Sequence, residues 1–237
     1  MPATLQKIKK QVFLKNEMDK LQQYLLPGKY TDSDHPEIIA LARKIVGGET
    51  NQIEQAKLLY LYVRDTFPYD YYNIVLTDEA IKASSLLKKG RGYCVEKANL
   101  LGALARSIGI PARFGFADVI NHLGAEKLQS ILRTDVFAFH GYTELFLNGK
   151  WVKATPAFNK ELCEKLGVNA LEFNGLEDSV FQEYEDGIHF MEYIHFHGTF
   201  DDIPLEYFIQ TLRKHYPHLF ADTAQERGME AFFFKLS

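Results

Sequence analysis

Two side chains in this 237-residue chain have the chemistry of a nucleophilic pair: Cys94 in "GRGYCVEKANLLGALARSIGIPARFGF" and His140 in "DVFAFHGYTELFLNGKWVKATPAF". A thiolate attacks a carbonyl carbon, and an imidazole beside it takes the thiol proton and later returns it to the leaving group. The imidazole needs a third group that fixes its tautomer. Spacing alone does not bring residue 94 to residue 140, and a lone cysteine on an apolar helix face also serves as a small core hydrophobe.

The elements that would carry them are readable. Apolar positions Cys94, Ala98, Leu101, Leu104 and Ile108 form one stripe of an amphipathic helix closed by Gly109 and Pro111. Cys94 falls in its first turn, where unpaired N–H groups and the positive end of the dipole favour thiolate over thiol. Asn148-Gly149 between two alternating runs predicts a hairpin with a two-residue loop. Counting outward pairs Leu147 with Lys150, Phe146 with Trp151, Glu144 with Lys153, Tyr142 with Thr155 and His140 with Ala157. Thr155 is then a diagonal neighbour of His140, ~7 Å away between backbones, and position 155 suits a residue that orients the ring. Glu144 and Lys153 read as a cross-strand ion pair.

Around these elements the first third reads as helices. "HPEIIALARKIVGG" and "NQIEQAKLLYLYVRDTF" carry apolar residues at helical spacing, and "TDEAIKASSLLKKG" begins on Thr77 as a plausible N-cap and closes on lysines and Gly90. "ARFGFADV" and "GIHFMEYIHFHG" read as strands, "PLEYFIQTLRKHYPHLF" as a helix, and the apolar "MEAFFFKLS" as a docked terminus. Helices followed by hairpins argue for an α+β fold. No repeat or linker divides the chain, so one domain is expected.

With these residues on the page, the chain resembles the transglutaminase-like superfamily, a branch of the papain-like cysteine enzymes. The likeness rests on "GRGYCVEKANLLGALARSIGIPAR", on "HGYTELFLNGKWVKATP" and on the upstream "YLYVRDTFPYD", and covers about residues 35 to 160. Arylamine acetyltransferases share an R-G-x-C-x-E start, here "RGYCVE", but the G-I-P-A-R and hairpin segments favour the first family. The resemblance implies a papain-like core in which a central helix bearing the nucleophile packs on an antiparallel sheet. Residues 1–34 would be a helical extension, 35–160 the core, and 161–237 the remainder of the same domain, completing the sheet. It places the nucleophile on Cys94 and the base on His140, and implies a thiol hydrolase of protease or amidase type acting through a thioester. The alternatives are a cross-linking acyltransferase, and a catalytically weak or inactive binding protein on the same fold.

One departure stands out. Where the family usually has Asp, this chain has Thr155, whose hydroxyl accepts a hydrogen bond from imidazole but adds no negative charge. Asn159 is the other candidate for the third member, as asparagine serves in papain-like proteases. Either way that member is neutral.

Other features point to little additional chemistry. With 27 basic and 31 acidic residues the formal charge is −4, which supplies no field for nucleic acid or an anionic membrane. The expected partner is a peptide, protein or small amide substrate, with no cofactor; the oligomeric state is open. No apolar run reaches signal-peptide or membrane length, and two cysteines, Cys94 and Cys163, make no disulfide framework, so the expected location is cytoplasmic. Cys163 reads as a structural thiol, and Glu96 as a complement to the helix dipole. His189, Met191, Tyr193, His195 and His197 share one face of a strand; without a carboxylate or thiol to complete a ligand set, partly buried hydrogen-bonded histidines fit better than a metal site. Tyr69, Tyr71, Tyr72 and Tyr93 crowd the approach to Cys94, and read equally well as cleft walls, as oxyanion donors or as a tyrosine-rich edge of the core.

Overall fold

The computed structural model describes residues 21–121, 126–180, 191–220 and 233–235. Helix α1, Pro36–Val46, starts with proline at its first position and the His35 ring accepting the Glu37 N–H. In α2, Gln52–Thr66, the Asn51 side chain accepts from Ile53 and Glu54. A short strand β1, Asn73–Val75, precedes α3, Ala83–Lys89, and the central helix α4, Cys94–Ser107. There follow β2 (Ala112–Asn121), α5 (Glu126–Leu132), β3 (Val136–Leu147), β4 (Lys150–Ala154), α6 (Lys160–Leu166), β5 (Met191–Phe200), α7 (Leu205–His215) and β6 (Phe233–Lys235).

The main sheet is antiparallel in the order β4-β3-β2-β5, and β1 pairs separately with β6. The docked C-terminal strand agrees with the apolar character of "MEAFFFKLS". Helix α4 lies against β2 and β3 and is enclosed on its other sides by α1, α2 and α3. Its residues from Cys94 to Arg106 are all buried, so it is not the one-striped amphipathic helix that its apolar spacing suggests. Its polar residues are paired instead of solvated. Asn99 donates to Tyr30 and Ile81 carbonyls, Arg106 to those of Leu26, Ala112 and Asp201, and Lys97 to those of Arg64 and Ala157.

Two further expectations are corrected. Thr77 does accept the Ala80 N–H, but that turn ends, and α3 begins six residues later at Ala83. The Ala83 N–H goes to the Tyr30 carbonyl and the Asp32 carboxylate accepts the Ser84 N–H, so the start of this helix is set from a remote segment. In the hairpin, Asn148 and Gly149 have φ of 49° and 83°, as a two-residue loop of this kind requires, and the register runs as counted from Leu147–Lys150 to Glu144–Lys153. It stops at Thr143–Ala154 and does not reach Tyr142–Thr155 or His140–Ala157. The Thr155 N–H turns outward to Ser179, so the next N–H facing β3 would belong to residue 156, a proline that has none.

Candidate active site

Because β4 stops at Ala154, the outer edge of β3 is open beyond Thr143. On that edge the N–H of Gly141 meets no strand among the described residues, and it lies close enough to Cys94 Sγ to favour the thiolate. The peptide involved is the one that joins His140 to Gly141. Helix and strand approach closely there: a Cβ on Gly141 would lie 3.1 Å from the Val95 Cα, so only a residue without bulk seats β3 this near the start of α4. The structure thus places Cys94 beside Gly141, the residue that follows His140.

The thiol sits where α4 begins. The N–H groups of Val95 and of Cys94 itself point at Sγ, and so does the Tyr69 hydroxyl. Tyr69 is held in register by pairing with Gly92, two residues before the cysteine; its N–H donates to Asn159 Oδ1 at 3.0 Å, and its ring packs edge-on against Phe158 at 4.6 Å. The start of the helix is secured by Glu96, which accepts the Tyr93 N–H and meets Lys89 at 2.8 Å. Burial of Glu96 pushes its carboxyl up to about 7 against the pull of Lys89.

Electrostatically the outcome differs from what a helix N-terminus alone would give. Cys94 is 8% exposed, and burial raises the pKa of its thiol, outweighing the N–H groups and the Tyr69 hydroxyl that lower it. His140 is 5% exposed, and burial pulls its imidazole down to about 4. Desolvation of two groups that would both have to charge favours a neutral thiol beside a neutral imidazole over an ion pair. His140 Nε2 is buried and makes no hydrogen bond, to Cys94 or to any other described residue.

The two candidates for the third position are placed differently. Thr155 is buried and its hydroxyl makes no hydrogen bond to a described residue, while the Tyr193 ring stands edge-on to that of His140 at 6.0 Å. Asn159 is turned elsewhere: its side-chain oxygen is occupied by Tyr69, and it precedes α6. It therefore positions the tyrosine at the thiol. Nothing in the spacing of the four tyrosines distinguishes Tyr69, which is singled out only by the pairing of 68–70 with Gly92.

The remaining sequence candidates lie apart from this pocket or have other partners. Glu144 faces Lys153 in the ladder but pairs with Arg113 on the opposite neighbour at 2.6 Å, while Lys153 lies 3.6 Å from Asp178; the expected Glu144–Lys153 ion pair is replaced because a third strand supplies a better donor. Cys163 is buried, with its Sγ 3.9 Å from the Phe158 carbonyl. On β5, His195 is exposed and His197 contacts Asp118 at 2.7 Å; His189 lies outside the described residues. Among the described residues no group of three His, Cys, Asp or Glu side chains is arranged to hold a metal, and none of the helices is long and apolar enough to cross a membrane.

Comparison with known proteins agrees with this arrangement. The family model of the transglutaminase-like superfamily matches residues 39–156, which runs from α1 through the nucleophile-bearing helix and the hairpin. The chain belongs to the transglutaminase-like superfamily. Its α+β fold is that of the papain-like cysteine enzymes, and members of the superfamily generally act through a cysteine nucleophile. No curated protein matches the sequence. Among solved structures, a proposed cysteine protease from Cytophaga hutchinsonii is 22% identical over 58% of this chain and 42% of its own, with a TM-score of 0.45. A proposed protease from Parabacteroides distasonis is 17% identical over 57% of this chain and 25% of its own, TM-score 0.37. The arylamine N-acetyltransferase of Mycobacterium abscessus is 14% identical over 81% and 74%, TM-score 0.48. The chain therefore spans less than half the length of the first two.

Proposed function

We infer that this protein is a cysteine hydrolase of amide or peptide bonds, with Cys94 as nucleophile and His140 as general acid and base. The observation that supports this reading is the meeting of Cys94 Sγ, at a helix start, with the His140–Gly141 peptide at the open edge of β3. The starting state is neutral, so the thiol proton passes to the His140 imidazole as Sγ bonds to the carbonyl carbon. Carbonyl electrons move onto oxygen, and the N–H groups at the start of α4 together with the Tyr69 hydroxyl stabilise the oxyanion. When it collapses the C–N bond breaks, the amine leaves with the proton from His140, and an acyl thioester remains on Cys94. Water, deprotonated by His140, attacks the thioester; the carboxylic acid departs and the thiol is restored. Thr155, buried with its hydroxyl unengaged by a described residue, is the candidate neutral third member, and the edge-on Tyr193 ring packs against the imidazole.

The test is a covalent adduct. Incubation with a panel of peptide amides, acid quenching and mass spectrometry are expected to locate an acyl group on Cys94, and His140→Ala is expected to abolish it. An acyl group on no residue, or one on Cys94 that forms equally fast in His140→Ala, overturns the assignment. A second reading, a binding protein that has kept the fold without the chemistry, is favoured by one observation: Thr155 supplies no charge to steady an imidazolium. An adduct on Cys94 that depends on His140 excludes it.

A further inference from the structure

The backbone immediately before His140 is unusual. Ala117 pairs with His140, but Val119 pairs with Phe137, so two residues of β3 oppose Asp118 alone. The extra residue, Phe139, has φ of 64°, a left-handed conformation that costs a bulky L-residue roughly 1–2 kcal/mol. A second irregularity meets it from the other side, where β5 slips against β2 so that His197 is the residue left out of the ladder, next to Gly198 at φ 100°. Both bulged residues converge on one side chain. The buried carboxylate of Asp118 accepts the Phe139 N–H at 3.0 Å and meets His197 Nε2 at 2.7 Å through the same oxygen, while its second oxygen lies 3.3 Å from His215 Nε2. His197 is fixed by Tyr207, whose hydroxyl lies 2.8 Å from Nδ1. The ring of Phe139 is held between those of Phe116 at 4.4 Å and Phe208 at 4.7 Å. The neighbouring Ala138 N–H donates to the Tyr216 hydroxyl at 2.6 Å.

We propose that Asp118 is a positioning residue for His140: by capturing the N–H of Phe139 it holds the left-handed turn that delivers the imidazole to the edge where Cys94 waits. The inference rests on the Cys94–His140 reading and deepens it. His140 is bracketed, with the carboxylate gripping residue 139 on one side and the thiol meeting the Gly141 N–H on the other. An unbulged β3 would lay Phe139 in the ladder and take the strain out of the turn, but it would also change the direction in which the strand presents residue 140. His197, which spacing alone offers as a metal ligand or a core residue, serves here with His215 to hold the carboxylate in place. Asp118 touches no reacting atom; it acts through the backbone.

The experiment measures alkylation of Cys94 by iodoacetamide from pH 5 to 10 in the full-length chain carrying Cys163→Ser, so that one thiol reports. In this background His140→Ala is expected to slow alkylation near neutral pH and to displace the inflection. Asp118→Ala is expected to move the profile in the same direction, with a loss on the order of tenfold or more, since small misplacements of a reacting group have effects of that size. Asp118→Asn, whose side-chain oxygen still accepts from Phe139, is expected to recover most of the rate. Val152→Ala, in the other core cluster, lowers stability without touching the bulge and is expected to leave the profile of the folded protein in place. An Asp118→Ala profile that coincides with the parent while that of His140→Ala is displaced overturns the positioning role and leaves the site intact. A His140→Ala profile that coincides with the parent overturns the site itself. Should Asp118→Ala not fold, His197→Ala takes its place with the same expectation: a displaced profile supports the role, an unmoved one defeats it.

Discussion

Tyr69 carries a hydroxyl toward the sulfur of Cys94, and among the described residues no other side chain does so. If that hydroxyl steadies the oxyanion, Tyr69→Phe is expected to lower the rate of Cys94 acylation by roughly a hundredfold, the cost of removing one well-aimed donor, while the melting temperature changes little. Pre-steady-state acylation measured beside thermal unfolding checks this, and an unchanged acylation rate removes Tyr69 from the site. The same residue shows where sequence reading runs out. Cys94, His140 and Thr155 are legible in the sequence as candidates because each lies in a segment that resembles the family's motifs. Tyr69, Gly141 and Asp118 are not, because their roles depend on a parallel bridge, an open strand edge and two converging bulges, all of which are created by residues distant along the chain. Asn159 illustrates the converse. Its position after the hairpin suggests an orienter of His140, and its side-chain oxygen accepts the Tyr69 N–H, a contact that the hairpin count does not reveal.

At the level of elements, what short-range physics dictates is what the sequence reveals. The Asn148-Gly149 loop sets the hairpin register for as many pairs as β4 lasts, and Pro156 sets where it ends; the pairing could be counted, but its end required knowing which way the Thr155 N–H points. The central helix was harder to read because its polar residues are buried with partners from the connections around it, so its apolar stripe understates its enclosure. Its contact with the sheet depends on Gly102, where a Cβ would come within 2.5 Å of the Phe114 ring. Gly102→Ala therefore forces that ring, itself fully buried, to move. The alanine's better helix propensity offsets this by up to about 1 kcal/mol, while overpacking of a filled core costs typically 1–3 kcal/mol. Net destabilisation of about 1 kcal/mol, within a span of roughly 0–2, is expected in urea unfolding. A gain in stability would mean that the helix and sheet are less tightly apposed than this contact requires.

Across the whole molecule, two buried groups flanking the nucleophile titrate against each other. Burial depresses His140 to about 4 from its ordinary 6.5, so the unfolded chain binds its proton first as pH falls. Its contribution to stability is complete above pH 6.5 and is lost on descending to about 4. Glu96 is raised to about 7 from 4.5, so its contribution is complete below pH 4.5 and is lost on rising through 7. Each shift corresponds to about 3 kcal/mol at roughly 1.4 kcal/mol per unit, and between pH 4 and 7 the two have opposite signs. They largely cancel in the parent protein, whose stability in this window is set by its remaining groups. Lys97, lowered to about 7 by burial, acts above this range. Single substitutions unmask the pair. Relative to the parent, His140→Gln is expected to gain about 3 kcal/mol as pH falls from 7 to 4, and Glu96→Gln to lose a similar amount over the same interval. Urea unfolding of the three proteins at half-unit steps of pH measures both differences. Curves that run parallel to that of the parent would mean that His140 and Glu96 reach solvent in the folded state, and that the dry environment on which a neutral Cys94–His140 pair depends is absent.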